Sequence, residues 1–152
     1  MSPYKFLVST TLSIFFSLQC FSQEMTTYLS PYSPEQTTDR FKKVIEEKGM
    51  ILFDVISHHD AAKEIGKDMR PTIVVIFESA EIGTEWTLCE QTVAIDLPFR
   101  VLIWEDETGE TFLSYTNPRL IGKRHQVKGC PEIADKINRI LVRVINETIK
   151  QG

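Results

Sequence analysis

The sequence predicts an α+β domain of two layers, in which helices cover a mixed β-sheet of about five strands. Three observations lead to this prediction. Helical and strand patterns alternate along the chain, the run PTIVVIF at residues 71–77 is apolar and β-branched, and a long amphipathic helix follows Pro131. The alternation favours a mixed sheet, since helices commonly connect parallel strands and one hairpin adds an antiparallel pair.

The first elements are predicted from capping signals and alternation. MTTYLS, at residues 25–30, is expected to form an edge strand. Ser33 is expected to cap the first helix, with Pro34 at its first position and Gln36 completing a capping box. Gly49 provides the left-handed stop, and MILFDVIS then reads as a strand.

The middle of the chain is predicted to contain a short helix, a central strand and a hairpin. Asp60 is expected to cap a helix over residues 61–65, which Gly66 ends. The run at 71–77 is the most strand-like segment, and residues 81–97 are helical or irregular. A hairpin over residues 99–115 turns through Gly109.

Helices complete the chain. Asn117 and Pro118 begin a short helix, and Pro131 opens the long C-terminal helix. Its apolar side chains recur at helical spacing and form one stripe that we expect to pack on the sheet. The stripe consists of Ile133, Ile137, Ile140, Leu141, Val144 and Thr148.

Residues 1–22 are predicted to be a cleaved signal peptide. Lys5 precedes an uncharged apolar stretch over residues 6–18, which is shorter than the roughly 20 residues of a spanning helix. Cys20 and Ser22 supply small residues for cleavage before Gln23. The alternatives are a membrane anchor or a lipoprotein, although the bulky Gln19 disfavours acylation of Cys20. We therefore expect one exported domain, residues 23–152, that is periplasmic or secreted.

The net charge of the chain argues against some classes of binding partner. The formal net charge is −4, and it becomes −5 when Lys5 leaves with the leader. A mildly acidic chain without a clustered basic face argues against nucleic-acid binding, and no basic amphipathic segment suits a membrane surface. No glycine-rich phosphate loop occurs, and no cofactor is predicted. The expected partner is a small molecule, a metal ion or another protein.

The adjacent pair His58 and His59 is the first candidate site. Two histidines alone are too few for zinc, which takes three or four protein ligands. Asp60 more simply caps a helix, so a structural or surface role is favoured for the pair. We expect His59 rather than His58 to face inward, near Arg70 or an acid such as Glu105.

Arg70, just before the central strand, is the candidate anion ligand. A fixed guanidinium there would suit a carboxylate or phosphate, but it could equally pair with Glu105 or Asp106 of a neighbouring strand. Glu78 joins the candidate set as a further carboxylate. Convergence of His59, Arg70, Glu78 and Glu105 on one pocket would favour binding or catalysis, whereas scatter over the surface would favour a structural role.

Two cysteines, Cys89 and Cys130, remain after removal of the leader. An even count in an oxidising compartment favours a disulfide between them. The alternatives are two unpaired thiols, or a reactive Cys130, which directly precedes Pro131 at a helix start.

Taken in order, several segments resemble the family catalogued as domain of unknown function 302. They are YSPEQTTDRFKKVIEEKGMILFDVISHHDAAKEIGKDMRPTIVVIF, DLPFRVLIWEDETGETFLSY and NPRLIGKRH, so the resemblance covers nearly the whole chain from about residue 25 onward. The resemblance implies a compact domain of helices and strands, a homodimer, and no established reaction. The chain departs from the family pattern at residues 78–80, where Glu-Ser-Ala stands in place of Gly-Asn-Pro.

Three functions remain open. We favour a ligand-binding or sensing module, with a small anion as the expected ligand. The second is an enzyme that uses His59 as a general base and Arg70 as an anion clamp. The third is a structural dimerisation domain.

Overall fold

A computed structural model describes residues 24–151, and the predicted leader lies outside them. The elements are five strands, five α-helices and one 3₁₀ helix within the described residues. In chain order they are β1 (Met25–Ser30), α1 (Pro34–Glu47), β2 (Ile51–Ser57), α2 (His58–Glu64), β3 (Thr72–Glu78), α3 (Ala80–Cys89), the 3₁₀ helix (Gln91–Asp96), β4 (Phe99–Glu105), β5 (Thr111–Thr116), α4 (Pro118–Arg124) and α5 (Ile133–Ile149).

The five strands form one sheet in the order β1-β5-β4-β3-β2, which confirms the predicted α+β class and strand number. Every neighbouring pair is antiparallel, so the prediction of a mixed sheet was wrong. The connection through α2 and the connection through α3 each start and finish at one end of the sheet, because the strands that each one joins are antiparallel neighbours. Only α1 joins strands of the same direction, and those strands are the two edges.

Successive side chains along each strand point to opposite faces of the sheet, and helices cover one of these faces and leave the other exposed. In β3, Ile73, Val75 and Phe77 are buried on the helical side, whereas Val74 and Ile76 are only partly buried. We call this second side the open face; its exposed or half-buried apolar side chains come from all five strands. They include Leu29, Ile56, Val74, Ile76, Leu102, Trp104 and Phe112.

Helices α1 and α5 cover the other face. The predicted capping box is present, since Ser33 accepts a hydrogen bond from the Gln36 amide and the Gln36 side chain accepts one from the Ser33 amide. The stripe of α5 is buried as predicted, except that Ile140 is only partly buried. Ile145, which the prediction omitted, is fully buried.

Ser57, not Asp60, caps α2. The helix therefore begins at His58, three residues earlier than predicted, and the Ser57 hydroxyl accepts from the Asp60 amide at 3.2 Å. Sequence patterns did not separate two good capping residues three positions apart. Gly66 follows the helix with a positive φ of 69°, as expected for a left-handed stop.

The segment between β3 and β4 is held down by a disulfide and a polar network. The sulfur atoms of Cys89 and Cys130 lie 2.07 Å apart, so the predicted bond joins the end of α3 to the start of α5. His125, after α4, contacts Asp96 of the 3₁₀ helix at 2.7 Å through Nε2. Among residues 24–151, every helix is too short or too polar to cross a membrane.

Candidate functional site

The four residues predicted from the sequence do not form one site. His59, Arg70 and Glu105 lie toward the start of β3, whereas Glu78 is its last residue. A strand rises about 3.3 Å per residue, so roughly 20 Å separates the two ends of β3. The candidates therefore divide into a group at one end of the sheet and a single carboxylate at the other.

His59 belongs to the capping structure of α2. It is half-buried while His58 is exposed, which agrees with the expected orientation. Its Nδ1 lies 3.1 Å from the Ser57 hydroxyl and its Nε2 lies 3.5 Å from Asp60, so its partners are not Arg70 or Glu105. Ser57 also donates to Asp60 at 2.6 Å. Because that hydroxyl already donates to a carboxylate and accepts from a helical amide, this arrangement stabilises a helix start.

Arg70 is engaged with the neighbouring strand. Its Nε donates to the backbone oxygen of Glu105 at 3.2 Å, so the arginine reaches β4 through the backbone, and no ion pair of Arg70 with Glu105 or Asp106 is present among the described residues. The pKa of nearby Asp106 is lowered, chiefly by the Glu110 amide and to a smaller extent by the charge of Arg70. Arg70 lines a surface depression, and Asp68 and Glu105 line the same depression. These carboxylates disfavour an anion beside Arg70.

Glu78 faces a cleft of about 500 Å³ at the other end of β3. Alternation places its side chain on the open face, opposite Ile51 of β2, and α3 begins two residues later. Burial raises the pKa of Glu78, and no hydrogen bond or ion pair within residues 24–151 offsets that effect. A carboxylate in this position gains from any ligand that supplies a proton donor or a positive charge.

Gly83 allows the carboxylate to lie against α3. A Cβ atom at this position would stand only 2.0 Å from Oε1 of Glu78, so any other residue would displace the carboxylate. Sequence reasoning missed Gly83. The available signal was a glycine inside an apolar helical run, which costs helix stability and usually has a packing reason.

The remaining lining of the cleft is mostly apolar. One wall is the outer face of α3, with Thr84, Thr87 and Leu88, and the opposite wall comes from β2 and the segment before β4. The Thr87 hydroxyl donates to the Gly83 carbonyl and is therefore satisfied within the helix. Among residues 24–151, Glu78 is the only charged side chain in the lining of this cleft, which is formed by Ile51, Phe53, Glu78, Ala80, Gly83, Thr84, Thr87, Leu88, Ala94, Leu97 and Pro98.

The part of the chain that the structure describes contains no cluster of side chains suited to bind a metal ion. No three of its His, Cys, Asp or Glu side chains are placed to share an ion. The cleft at Glu78 offers one carboxylate, whereas a stable metal site draws on several ligands.

Comparison with protein families matches residues 26–148 to the family described as Domain of unknown function DUF302. A solved structure of similar fold is an uncharacterized conserved DUF302 protein from Bacillus stearothermophilus. It superposes with a TM-score of 0.77 at 16% identity, covering 84% of this chain and 99% of that one. At that identity the likeness shows the fold alone.

Curated relatives carry a different description. The chain is 31% identical over 112 residues to the fluoride-specific ion channel FluC 1 of Brucella suis biovar 1, covering 74% of this chain and 44% of that protein. The fluoride-specific ion channel FluC 2 of Brucella melitensis biotype 1 is also 31% identical, with 42% of its length covered. The chain thus spans less than half the length of these relatives.

Proposed function

The chain belongs to the DUF302 family, and we propose that it is a ligand-binding module whose site is the cleft at Glu78. One observation carries the proposal. The Glu78 carboxylate is partly desolvated and unpaired among the described residues, and it faces an otherwise uncharged, mainly apolar cleft. Perturbed ionisable groups in concave apolar pockets are characteristic of binding sites.

The ligand class follows from the lining. A small molecule with an apolar body and an ammonium group would pair with Glu78 and bury its body against Ile51, Phe53 and Leu97. The small anion expected from the sequence does not suit this cleft, since the described residues that line it include a carboxylate and no lysine or arginine. The proposed ligand is therefore cationic.

The name of the curated relatives suggests fluoride as a second probe. That name describes proteins more than twice the length of the matching segment, so channel activity is not assigned to this chain. Fluoride would meet the Glu78 carboxylate at close range, and like charges repel. We expect fluoride to leave the cleft at Glu78 unoccupied.

The test is a titration with benzylammonium, followed by amide chemical shifts. We expect saturable shifts at Gly83, Thr84 and Thr87, and at least tenfold weaker binding in Glu78→Gln. Tenfold corresponds to about 1.4 kcal/mol. The matched control is Glu81→Gln, which removes the same charge from an exposed position in the first turn of α3. Equal affinity in Glu78→Gln and Glu81→Gln contradicts the proposal.

Export completes the proposed function. The supporting observation is the leader-like pattern of residues 1–22, and an oxidising compartment would maintain the bond between Cys89 and Cys130. Intact-mass measurement of exported protein should show a chain that starts at Gln23. Retention of Met1, or an acyl group on Cys20, contradicts export with cleavage.

Dimerisation through the open face is a second candidate function. Several of its side chains expose large apolar area, including Leu29 at 53% and Ile56 at 38%. Five strands about 4.8 Å apart and roughly 20 Å long give a flat area on the order of 500 Å². Protruding side chains add to this flat area, and the total approaches the ~800 Å² that each partner buries in a standard interface. A second copy of the chain is the occupant we propose.

The oligomeric state tests this second candidate. Leu102→Lys places a charge at the centre of the open face and should convert a dimer into a monomer in light scattering. The control is Ile95→Lys, which changes an exposed side chain outside the sheet. A wild-type monomer across the micromolar range contradicts dimerisation through this face.

A further inference from the structure

Trp86 presents an unsatisfied donor in the interior. Its side chain is fully buried, and its indole Nε1–H has no hydrogen-bond partner within residues 24–151. A buried donor left without an acceptor destabilises the folded state, and native proteins rarely leave one. An acceptor from outside the chain would remove that cost.

Trp86 lines a second cleft, also of about 500 Å³. The walls are α4, the start of α5 and the loop that carries Cys130. A Cβ atom on Gly122 would lie 3.9 Å from Cζ2 of Trp86, so the ring edge that bears Cζ2 and Nε1 lies close to the backbone of α4. The Trp86 ring therefore lies buried behind the wall of this cavity, with its donor edge on the side of α4.

The charges around this cleft are mainly positive. Arg119, Lys123 and Lys128 line it, against a single carboxylate from Asp135, which is paired with Arg119. This clustering is notable in a chain whose formal net charge is −4. An anion inside the cleft would have Lys123 and Lys128 as counter-charges.

The start of α5 adds a further favourable field. The helix has 17 residues, and no side chain in the described part of the chain makes a capping hydrogen bond at its N-terminus. Ile133 and Ala134, from its first turn, line the same cleft as Trp86. The positive end of the helix dipole favours a negative group there, although the Ile133 amide already donates to the Cys130 carbonyl and Asp135 lies in the same turn.

We propose that this cationic cleft binds the carboxylate or other oxyanion group of a small organic acid. The indole N–H of Trp86 and the start of α5 would receive the oxyanion, with Lys123 and Lys128 as counter-charges. Val127 and Pro131 would contact the apolar part of the ligand. This site is separate from the cleft at Glu78, and it takes a ligand of opposite charge.

The tryptophan side chains supply an internal control. The chain contains two, Trp86 and Trp104, and Nε1 of Trp104 already donates to the Ser114 hydroxyl at 3.0 Å. In ¹⁵N-labelled protein titrated with benzoate, the indole resonance of Trp86 should move downfield and saturate, while that of Trp104 stays in place. Trp86→Phe identifies the resonance and preserves most of the ring volume.

A charge variant provides a measurement that does not alter the core. The double variant Lys123→Gln/Lys128→Gln should weaken benzoate binding at least tenfold. Its control, Lys63→Gln/Lys67→Gln, removes two exposed charges near α2 and should leave the affinity unchanged. Benzyl alcohol, which has the same ring and no charge, should not bind.

Three results would overturn the proposal. One is an unmoved Trp86 resonance at saturating benzoate concentration, which would leave water as the acceptor. Another is an equal response to benzyl alcohol, and the last is equal affinity in the two lysine variants. None of these readouts depends on Glu78, so this site and the proposed ammonium site fail or stand independently.

Discussion

The two clefts lie on different faces of one helix and differ in charge. One face of α3, with Gly83, Thr84 and Thr87, forms a wall of the cleft at Glu78, whereas Trp86 turns inward and lines the cationic cleft. Both clefts have about the same volume. The side chains from neighbouring elements make one cleft acidic and the other basic. The fold therefore provides two cavities of similar size, and a few residues determine which ligands each one favours.

The largest expected effect is a difference in the free energy of unfolding between variants on the two faces of α3. Trp86→Ala removes a fully buried ring and should lower the free energy of unfolding by about 3–5 kcal/mol. Leu88→Ala, on a side chain that is 83% exposed, should change it by less than about 0.5 kcal/mol. Urea denaturation measures both values. Similar losses in the two variants would contradict the assignment of inner and outer faces.

The disulfide is expected to have the next largest effect. Cys89 and Cys130 are 41 residues apart, and a loop of that length contributes about 4 kcal/mol in the chain-entropy model. The double variant Cys89→Ser/Cys130→Ser should therefore lose about 2–4 kcal/mol of stability. Cys130 lines the cationic cleft and not the cleft at Glu78, so benzoate binding should weaken more than benzylammonium binding.

If the double variant has the same denaturation midpoint as wild type, the disulfide does not stabilise the fold. The control is Cys130→Ser alone, which also lacks the disulfide but keeps the Cys89 side chain, so it separates the effect of the bond from that of replacing Cys89. Equal stability of the two variants is the expected result.

The smallest expected effect is the pH dependence at Glu78. Burial raises its pKa above the ordinary value of 4.5, so the folded state holds this proton more tightly than the unfolded state. The stability that the protonated group contributes is complete below the unfolded pKa and is lost as the pH rises through the folded pKa. Glu78→Gln should therefore melt slightly higher than wild type at pH 7, and this advantage should disappear at pH 4.

Melting curves of wild type, Glu78→Gln and Glu81→Gln across that pH range check the sign. The exposed control should show no comparable trend. A Glu78→Gln variant that is less stable than wild type at pH 7 would mean that the carboxylate has a stabilising partner.

Local patterns predicted the elements better than their arrangement. The capping box at Ser33, the strand at residues 71–77 and the α5 stripe depend on neighbours in sequence, and the structure contains all three. The sheet was wrongly expected to be mixed, because the alternation of helices and strands does not reveal whether a helix crosses a face or returns at the same end.

The candidate sites, too, depend on tertiary contacts that local sequence patterns do not reveal. Glu78 was selected as a carboxylate, yet its importance depends on Gly83 and on the apolar walls that tertiary structure brings around it. Trp86 has no sequence signal as a donor, since a buried tryptophan ordinarily finds an acceptor inside the protein. Arg70 and His59 were plausible from residue type alone, but their hydrogen bonds lie with backbone and capping groups.

Whether α3 separates two binding sites of opposite charge is tested by the amide and indole chemical shifts of a single labelled sample, titrated with benzylammonium and then with benzoate. We expect benzylammonium to move the amides of Gly83, Thr84 and Thr87 and to leave the Trp86 indole in place. Benzoate should then move the Trp86 indole without reversing the first set of shifts. If both probes move the same resonances, or neither probe reaches saturation, then α3 does not separate two binding sites of opposite charge.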